Sequence, residues 1–152
     1  MDKNYRNLVN NKRQEKINFN SMCIDSSLEA VAYSGTTGHY ITSTKPCTDI
    51  QVANNLIPIK MPNEEIITST HIALLPQNNL PDKAHKAHIF PGLQKPLISI
   101  GTLSDNNCIA VFDEKRVTIY DQTTRQIVMK GHIDPRNTFY MINMKAPMKS
   151  MT

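Results

Sequence analysis

The stretch VAYSGTTGHYI, residues 31 to 41, sets Tyr33, Ser34, Thr36, Thr37 and His39 around two glycines. Gly35 after Ser34 lets the backbone turn tightly beneath a side chain aimed at a cleft. The hydroxyls of Thr36 and Thr37 can bond backbone amides and stiffen such a turn. A Ser34 nucleophile with His39 as its base is one chemistry these residue types allow. The two lie five apart, on a turn and a strand, and no acid stands nearby to orient the histidine. Taken alone, Ser-Gly-Thr-Thr-Gly is an ordinary loop string.

Other reactive residue types are scattered. His85 and His88 are three apart in KAHKAHIF, a metal-ligand spacing on a helix. Pro81 precedes them, Pro91 follows, and Ile-Phe reads as strand, so no metal site and no cofactor are expected. His71 and His132 stand apart from them. Cys23, Cys47 and Cys108 are an odd number of widely spaced thiols with no Cys-x-x-Cys pair, which argues against a disulfide framework or a zinc knuckle.

Of the 152 residues, 39% are hydrophobic and 20% are charged, which suits one domain with a real core. No apolar run approaches the roughly 20 residues needed to cross a bilayer. The first residues carry charges but no apolar stretch behind them, so a signal peptide is not expected and an intracellular location is. The net charge of +4 is concentrated at the ends, in Lys3, Arg6, Lys12, Arg13 and Lys16, and in Lys145 and Lys149. A basic arm can make weak phosphate contacts. A solvated tail is the simpler reading, because no aromatic residues interleave with the charges to stack on bases.

Residues 1–28 read as a polar leader and 144–152 as a tail. From about residue 29, short apolar runs alternate with turn residues at the spacing of an all-β domain. Glu29 to Ala32 leads into the Ser-Gly turn. Ile57–Met61 and Ile66–Leu75 form a hairpin about Pro62-Asn63-Glu64-Glu65. Ala87–Phe90 and Pro96–Ile100 are short strands, and 101–107 is a helical turn with Leu103 facing inward. Cys108–Phe112 is fully apolar and is the best candidate for a buried strand. Val117–Tyr120 and Gln126–Met129 form a second hairpin, and Phe139–Ile142 is the last strand. Leu97, Ile98, Ile109, Val111 and Ile119 are expected in the core.

Four pieces in order resemble the protease segment of copia-type retrotransposon polyproteins, a branch of the retropepsin-like aspartic proteases. AYSGTTGHYI is similar to the family's active-site turn, Asp-Ser-Gly-Ala/Thr-Ser/Thr followed by His. IPIKMPNEEIITSTHIALL looks like its next strand pair. KAHIFPGLQKPLISIGTL resembles its apolar strand, Pro-containing turn and Leu-Leu-Ser-Val/Ile. CIAVFDEKRVTIYD is similar to its closing strands. The resemblance implies an all-β closed barrel or sandwich with one short helix over 29–143. It implies a homodimer in which each copy supplies one acid, in the cytoplasm or a virus-like particle. It places Tyr33, Ser34, Gly35 and Thr36 at the catalytic turn. Met61, Asn63 and Glu64 fall at a flap over an extended peptide, and Ile98, Ser99, Ile109 and Val111 in the core or near the dimer contact.

The departures bear on function. Tyr33 replaces the acid. Glu64 stands where the family often has Gly at the hairpin tip, and Asn107 where a Gly precedes the Cys108 strand. Asp25-Ser26-Ser27 is the nearest substitute acid, but it lacks the glycine and lies in the leader. Asp49, Asp82, Asp105, Asp113, Asp121 and Asp134 have no Ser/Thr-Gly partner. The expectation is a polyprotein-processing endopeptidase domain that is inactive as written. The alternatives are a dimeric peptide-binding module, a residual protease in a mixed dimer with an intact copy, and a basic nucleic-acid binder.

Overall fold

The computed structural model describes residues 29–77 and 79–145. The leader and the end of the tail lie outside the described residues. Twelve strands and two short helices follow in order: β1 Glu29–Tyr33, β2 His39–Ile41, β3 Thr48–Val52, β4 Pro58–Lys60, β5 Ile66–Thr68, β6 His71–Leu74, α1 Asp82–His85, β7 Lys86–Ile89, β8 Leu97–Ser99, α2 Ile100–Asp105, β9 Cys108–Phe112, β10 Arg116–Asp121, β11 Ile127–Ile133 and β12 Tyr140–Asn143. No helix among them is long and apolar enough to cross a membrane.

Ten strands make one sheet in the order β3-β6-β7-β2-β8-β1-β12-β11-β10-β9, and β4 and β5 pair by themselves. The all-β expectation holds. The closed barrel does not: β3 and β9 end the sheet without pairing to each other. There are two short helices where one was expected, because Asp82–His85 coils for one turn behind Pro81 before the chain extends. The proline's fixed φ suits it to that entry.

β1 lies at the centre, parallel to β8 and antiparallel to β12. Side chains alternate across a strand, so β1 serves both faces. Ala30 joins a large core with Ile41, Leu75, Ile98, Leu103, Ile119 and Ile142. Val31 and Tyr33 join a second core with Tyr40, Met61, Phe90, Leu93, Leu97 and Met141. Met144 is also fully buried, so the packed domain runs past the boundary drawn at 143.

The expected run Ile66–Leu75 is broken at Ser69. Ser69 Oγ accepts from the Ile57 amide at 2.8 Å and its own amide donates to Ile57 O at 3.0 Å. That closes the small β4–β5 hairpin, and the chain re-enters the main sheet as β6. β3 has no counterpart among the expected strands. Every one of its positions is exposed, although Asp49-Ile50-Gln51-Val52 alternates polar and apolar residues as a strand does.

Cys108–Phe112 is a strand, but an edge strand and not a buried one. Exposure rises along it, to 48% at Val111 and 46% at Phe112. Leu97, Ile98 and Ile119 are buried as expected, whereas Ile109 is half-buried. An apolar run reads the same whether a strand is covered by its own domain or stands unpaired at a margin. Asn107, at φ 65°, turns the chain from α2 into β9. It is among the residues that tolerate the left-handed region best.

Candidate functional site

The turn after β1 is held from outside. Tyr33 sits opposite Ser99 in the parallel β1–β8 pair. Ser99 Oγ donates to Thr36 O at 2.8 Å and accepts the Thr102 amide at 3.0 Å, so one hydroxyl clamps the turn and caps α2. Thr102 Oγ1 donates to Thr37 O at 3.1 Å. The turn is therefore gripped by its carbonyls. The expected bonds from the Thr36 and Thr37 hydroxyls to backbone amides are not made. Thr36 Oγ1 is buried with no hydrogen-bond partner among the described residues, and Thr37 Oγ1 meets the Tyr40 hydroxyl at 3.4 Å.

Ser34 and Gly35 are exposed at the head of the turn. Tyr33 is not: it is 4% exposed. Its strand alternation sends it into the second core, where Met61 is buried and Ile57, Ile59 and Ile67 are partly buried. These are hairpin residues, so the β4–β5 hairpin lies against the face that carries Tyr33.

The hairpin tip is a tight turn. The Glu64 amide donates to Met61 O and the Met61 amide to Glu65 O, both at 2.8 Å, and Asn63 Oδ1 accepts from the Glu65 amide at 3.0 Å. Glu64 takes φ 69°, a conformation that costs a non-glycine residue roughly 1–2 kcal/mol. Its ion pair with Lys60, 3.5 Å long, is exposed and adds little. Glu64→Gly therefore stabilises the domain by about 0.5–1 kcal/mol, the relieved strain exceeding the added freedom of the unfolded glycine. Thermal unfolding of the two proteins reads this directly, and a lower melting temperature in the variant refutes it.

His39 is not a base for Ser34. It is fully buried, and both ring nitrogens are engaged. Nε2 lies 2.8 Å from Ala84 O and must carry the hydrogen; Nδ1 accepts the Ser99 amide at 3.0 Å and must be bare. Burial pushes its pKa from an ordinary 6.5 to about 4, against the Ala84 hydrogen bond and with a small contribution from His88 and His85. The folded state thus binds the proton less readily than the unfolded state. The resulting stabilisation, on the order of 3 kcal/mol, is fully present above about pH 6.5 and is lost as the pH falls through about 4.

Asp113, Asp121, Asp134, His85 and His88 are engaged in local structure. Asp113 accepts the amides of Lys115 and Arg116, and Asp121 those of Thr123 and Thr124. These amides, with Thr124 foremost at Asp121, hold both carboxyls below their ordinary range. Burial would raise Asp134, but Arg136 outweighs it through hydrogen bonds and charge. His85 ends α1 with Nε2 on Leu75 O, and His88 packs edge-on against Tyr40. No group of three or more His, Cys, Asp or Glu side chains able to hold a metal occurs among the described residues. Burial raises the Cys47 thiol to about 11 and also raises Cys108, so neither is a ready nucleophile.

Met61, Asn63 and Glu64 thus belong to one hairpin, and Ile98 and Ser99 to the strand beside Tyr33. Ile109 and Val111 lie on the far edge of the sheet, away from this constellation in strand order. Sequence reasoning missed Thr102 and the bracketing role of His39. The available signal was His39 in the apolar string His-Tyr-Ile directly after the turn, which favours a buried histidine. No family model matches the chain, and neither a curated protein nor a solved structure matches it.

Proposed function

We propose that this chain is a retropepsin-like domain of the copia type, an aspartic endopeptidase by design that is inactive as written. One observation carries the reading: Tyr33 ends the central strand beside Ser99, between a clamped Ser-Gly-Thr-Thr turn and an overlying hairpin. Aspartic proteolysis needs two carboxylates sharing a proton, one to take a proton from water and one to give a proton to the peptide carbonyl. A tyrosine, with an ordinary pKa near 10, is a poor base at neutral pH. Here its side chain is packed in the domain's own core.

In this reading two copies meet. The β9 edge, Cys-Ile-Ala-Val-Phe, contains no charge and no proline, the usual protections of an edge strand; it lies four strand positions from β1, so self-association there would join two copies without bringing their Tyr33 turns together. Its outward row continues through Tyr120 to Ile127, which is 50% exposed. An extended peptide held by strand addition is the second reading, and the two sheet edges, β3 and β9, that have no further strand among the described residues favour it.

Val111→Asp separates these ideas from a purely structural role. Val111 is half-exposed in one copy, so the monomer loses only on the order of 1 kcal/mol, chiefly strand preference. A symmetric contact would place each new charge in the interface twice. The expected result is a parent that sediments as a dimer without cleaving a mixed peptide library, and a folded variant that sediments as a monomer. A monomeric parent at concentrations near 100 times a typical micromolar dissociation constant overturns the dimer and leaves Tyr33 the weaker inference of an isolated domain.

A further inference from the structure

His39 opens β2 and is held by the backbone of two elements remote from it in sequence, α1 through Ala84 O and β8 through the Ser99 amide. We infer that His39 is a proton-operated latch: as the neutral Nε2–H tautomer it locks the 34–37 turn to α1 and β8, and protonation of Nδ1 releases the turn. This goes beyond the protease reading and does not depend on it.

The geometry admits only one tautomer. A carbonyl faces Nε2 and an amide N–H faces Nδ1. A proton taken from solvent occupies the Nδ1 lone pair, the one acceptor the Ser99 amide uses, and two N–H groups then point at each other. No other bond need form or break. The consequence spreads because Ser99 is a junction. Its hydroxyl bonds Thr36 O and caps the Thr102 amide, and Thr102 in turn holds Thr37 O.

Apart from the Ala84 carbonyl, which favours the charged ring, the groups acting on His39 oppose its charging. His85 on α1 and His88 on β7 do so directly, and Lys86 acts on His88. Tyr40 follows it on β2, and α1 also carries Asp82 and Lys83. The β8 side and the first turn of α2 bring Leu97, Ile98, Ser99 and Thr102, none of them ionisable near neutral pH. No carboxylate is among the groups that shift it. A charged His39 therefore finds no partner in place and must pull away from the bracket to reach water.

The test is nitrogen NMR and amide exchange on the full chain between about pH 7.5 and about pH 2.5, a range that brackets the depressed histidine's midpoint near 4. At neutral pH His39 is expected to show one bare and one protonated ring nitrogen. As it charges, protection of the Ser99 and Thr102 amides, corrected for intrinsic exchange, falls on the order of tenfold, the effect of losing one buried hydrogen bond. The Ile119 amide on β10 changes by less than about twofold, being in a separate part of the sheet. In His39→Asn, whose Oδ1 can accept the Ser99 amide but cannot titrate, the fall is expected to vanish. Should that variant not fold, the parent alone decides: ring charging and amide loss must share a midpoint. Protection that survives ring charging, or a charged ring already present at neutral pH, overturns the latch, as does the same fall in a folded His39→Asn.

Discussion

Tyr33→Asp is expected to lower stability and create peptidase activity in the same protein. The stability loss follows from where Tyr33 lies. It is 4% exposed in a core with Val31, Met61, Phe90, Leu97 and Met141. Truncating an aromatic ring in such a place costs about 3–5 kcal/mol, and an unpaired carboxylate adds to that. The melting temperature should fall by more than about 10 °C. The same apolar surroundings raise the pKa of the new carboxyl. In a symmetric dimer that brings the two residue-33 turns together, a contact other than pairing at β9, the two acids then share a proton near neutral pH, the state the chemistry needs. The Ser99 and Thr102 clamps on Thr36 and Thr37 remain, so the turn itself needs no repair. General acid–base groups contribute roughly 10²- to 10⁴-fold, and a pepstatin-sensitive gain of that order over the parent is expected on a mixed peptide library.

The choice of pH decides whether the gain can be seen. Below about pH 6.5 the His39 bracket begins to lose its stabilising contribution, which is gone by about pH 4. A variant already weakened by several kcal/mol cannot spare it, given total stabilities of about 5–15 kcal/mol. Cleavage should therefore be assayed near pH 6.5–7 and at high protein concentration, where mass action favours the dimer. Equal activity in parent and variant would mean that the acid lies elsewhere. A folded, dimeric and inactive variant would shift the cause from the missing acid to the hairpin packed over it.

Much of the local architecture is legible in the residues. Glu29–Tyr33, the hairpin about Asn63, the helical turn at Gly101 and the hairpin about Gln122 each carry their own alternation or turn chemistry, and they occur close to where those signals place them. What is not legible depends on partners far away in the chain. Nothing in Val31-Ala32-Tyr33 says that it will run parallel to Leu97-Ile98-Ser99. Nothing in Cys108–Phe112 says that one side will find no partner strand among the described residues. Tyr33 illustrates the limit at the candidate site. Its identity removes the carboxylate on inspection, but its burial beneath the hairpin follows from strand parity and from which face Met61 and Ile67 come to cover. His39 is the converse case. Its residue type suggests chemistry, and only the arrival of Ala84 and Ser99 from remote segments turns it into a bracket.

Gly131→Ala is expected to prevent folding, although it adds only a methyl group. Gly131 lies in β11, between Val117 of β10 and Ile142 of β12. A Cβ there would sit on the carbonyl oxygen of Met141, with Met141 C at 2.7 Å and Ile142 Cα at 2.8 Å. All three are backbone atoms, so no rotamer change relieves the overlap. β12 must move, and β12 is the strand that pairs with β1 on its other side. Its buried residues Met141 and Ile142 serve both cores. Ordinary overpacking costs about 1–3 kcal/mol when side chains can yield; a displaced central strand should exceed about 4 kcal/mol, beyond the usual range for a single substitution. Gly131 has no positive φ, so the effect is one of close approach and not of backbone conformation. Gly101→Ala is the matched control. It lies in α2, its Cβ would meet nothing nearer than Ser99 Oγ at 3.8 Å, and alanine should stabilise that helix by about 0.5–1 kcal/mol. Soluble expression and circular dichroism of the two variants distinguish the cases. A Gly131→Ala protein that melts within a few degrees of the parent, on the scale of about 1 kcal/mol, would mean that β11 and β12 are not packed as closely as their register requires.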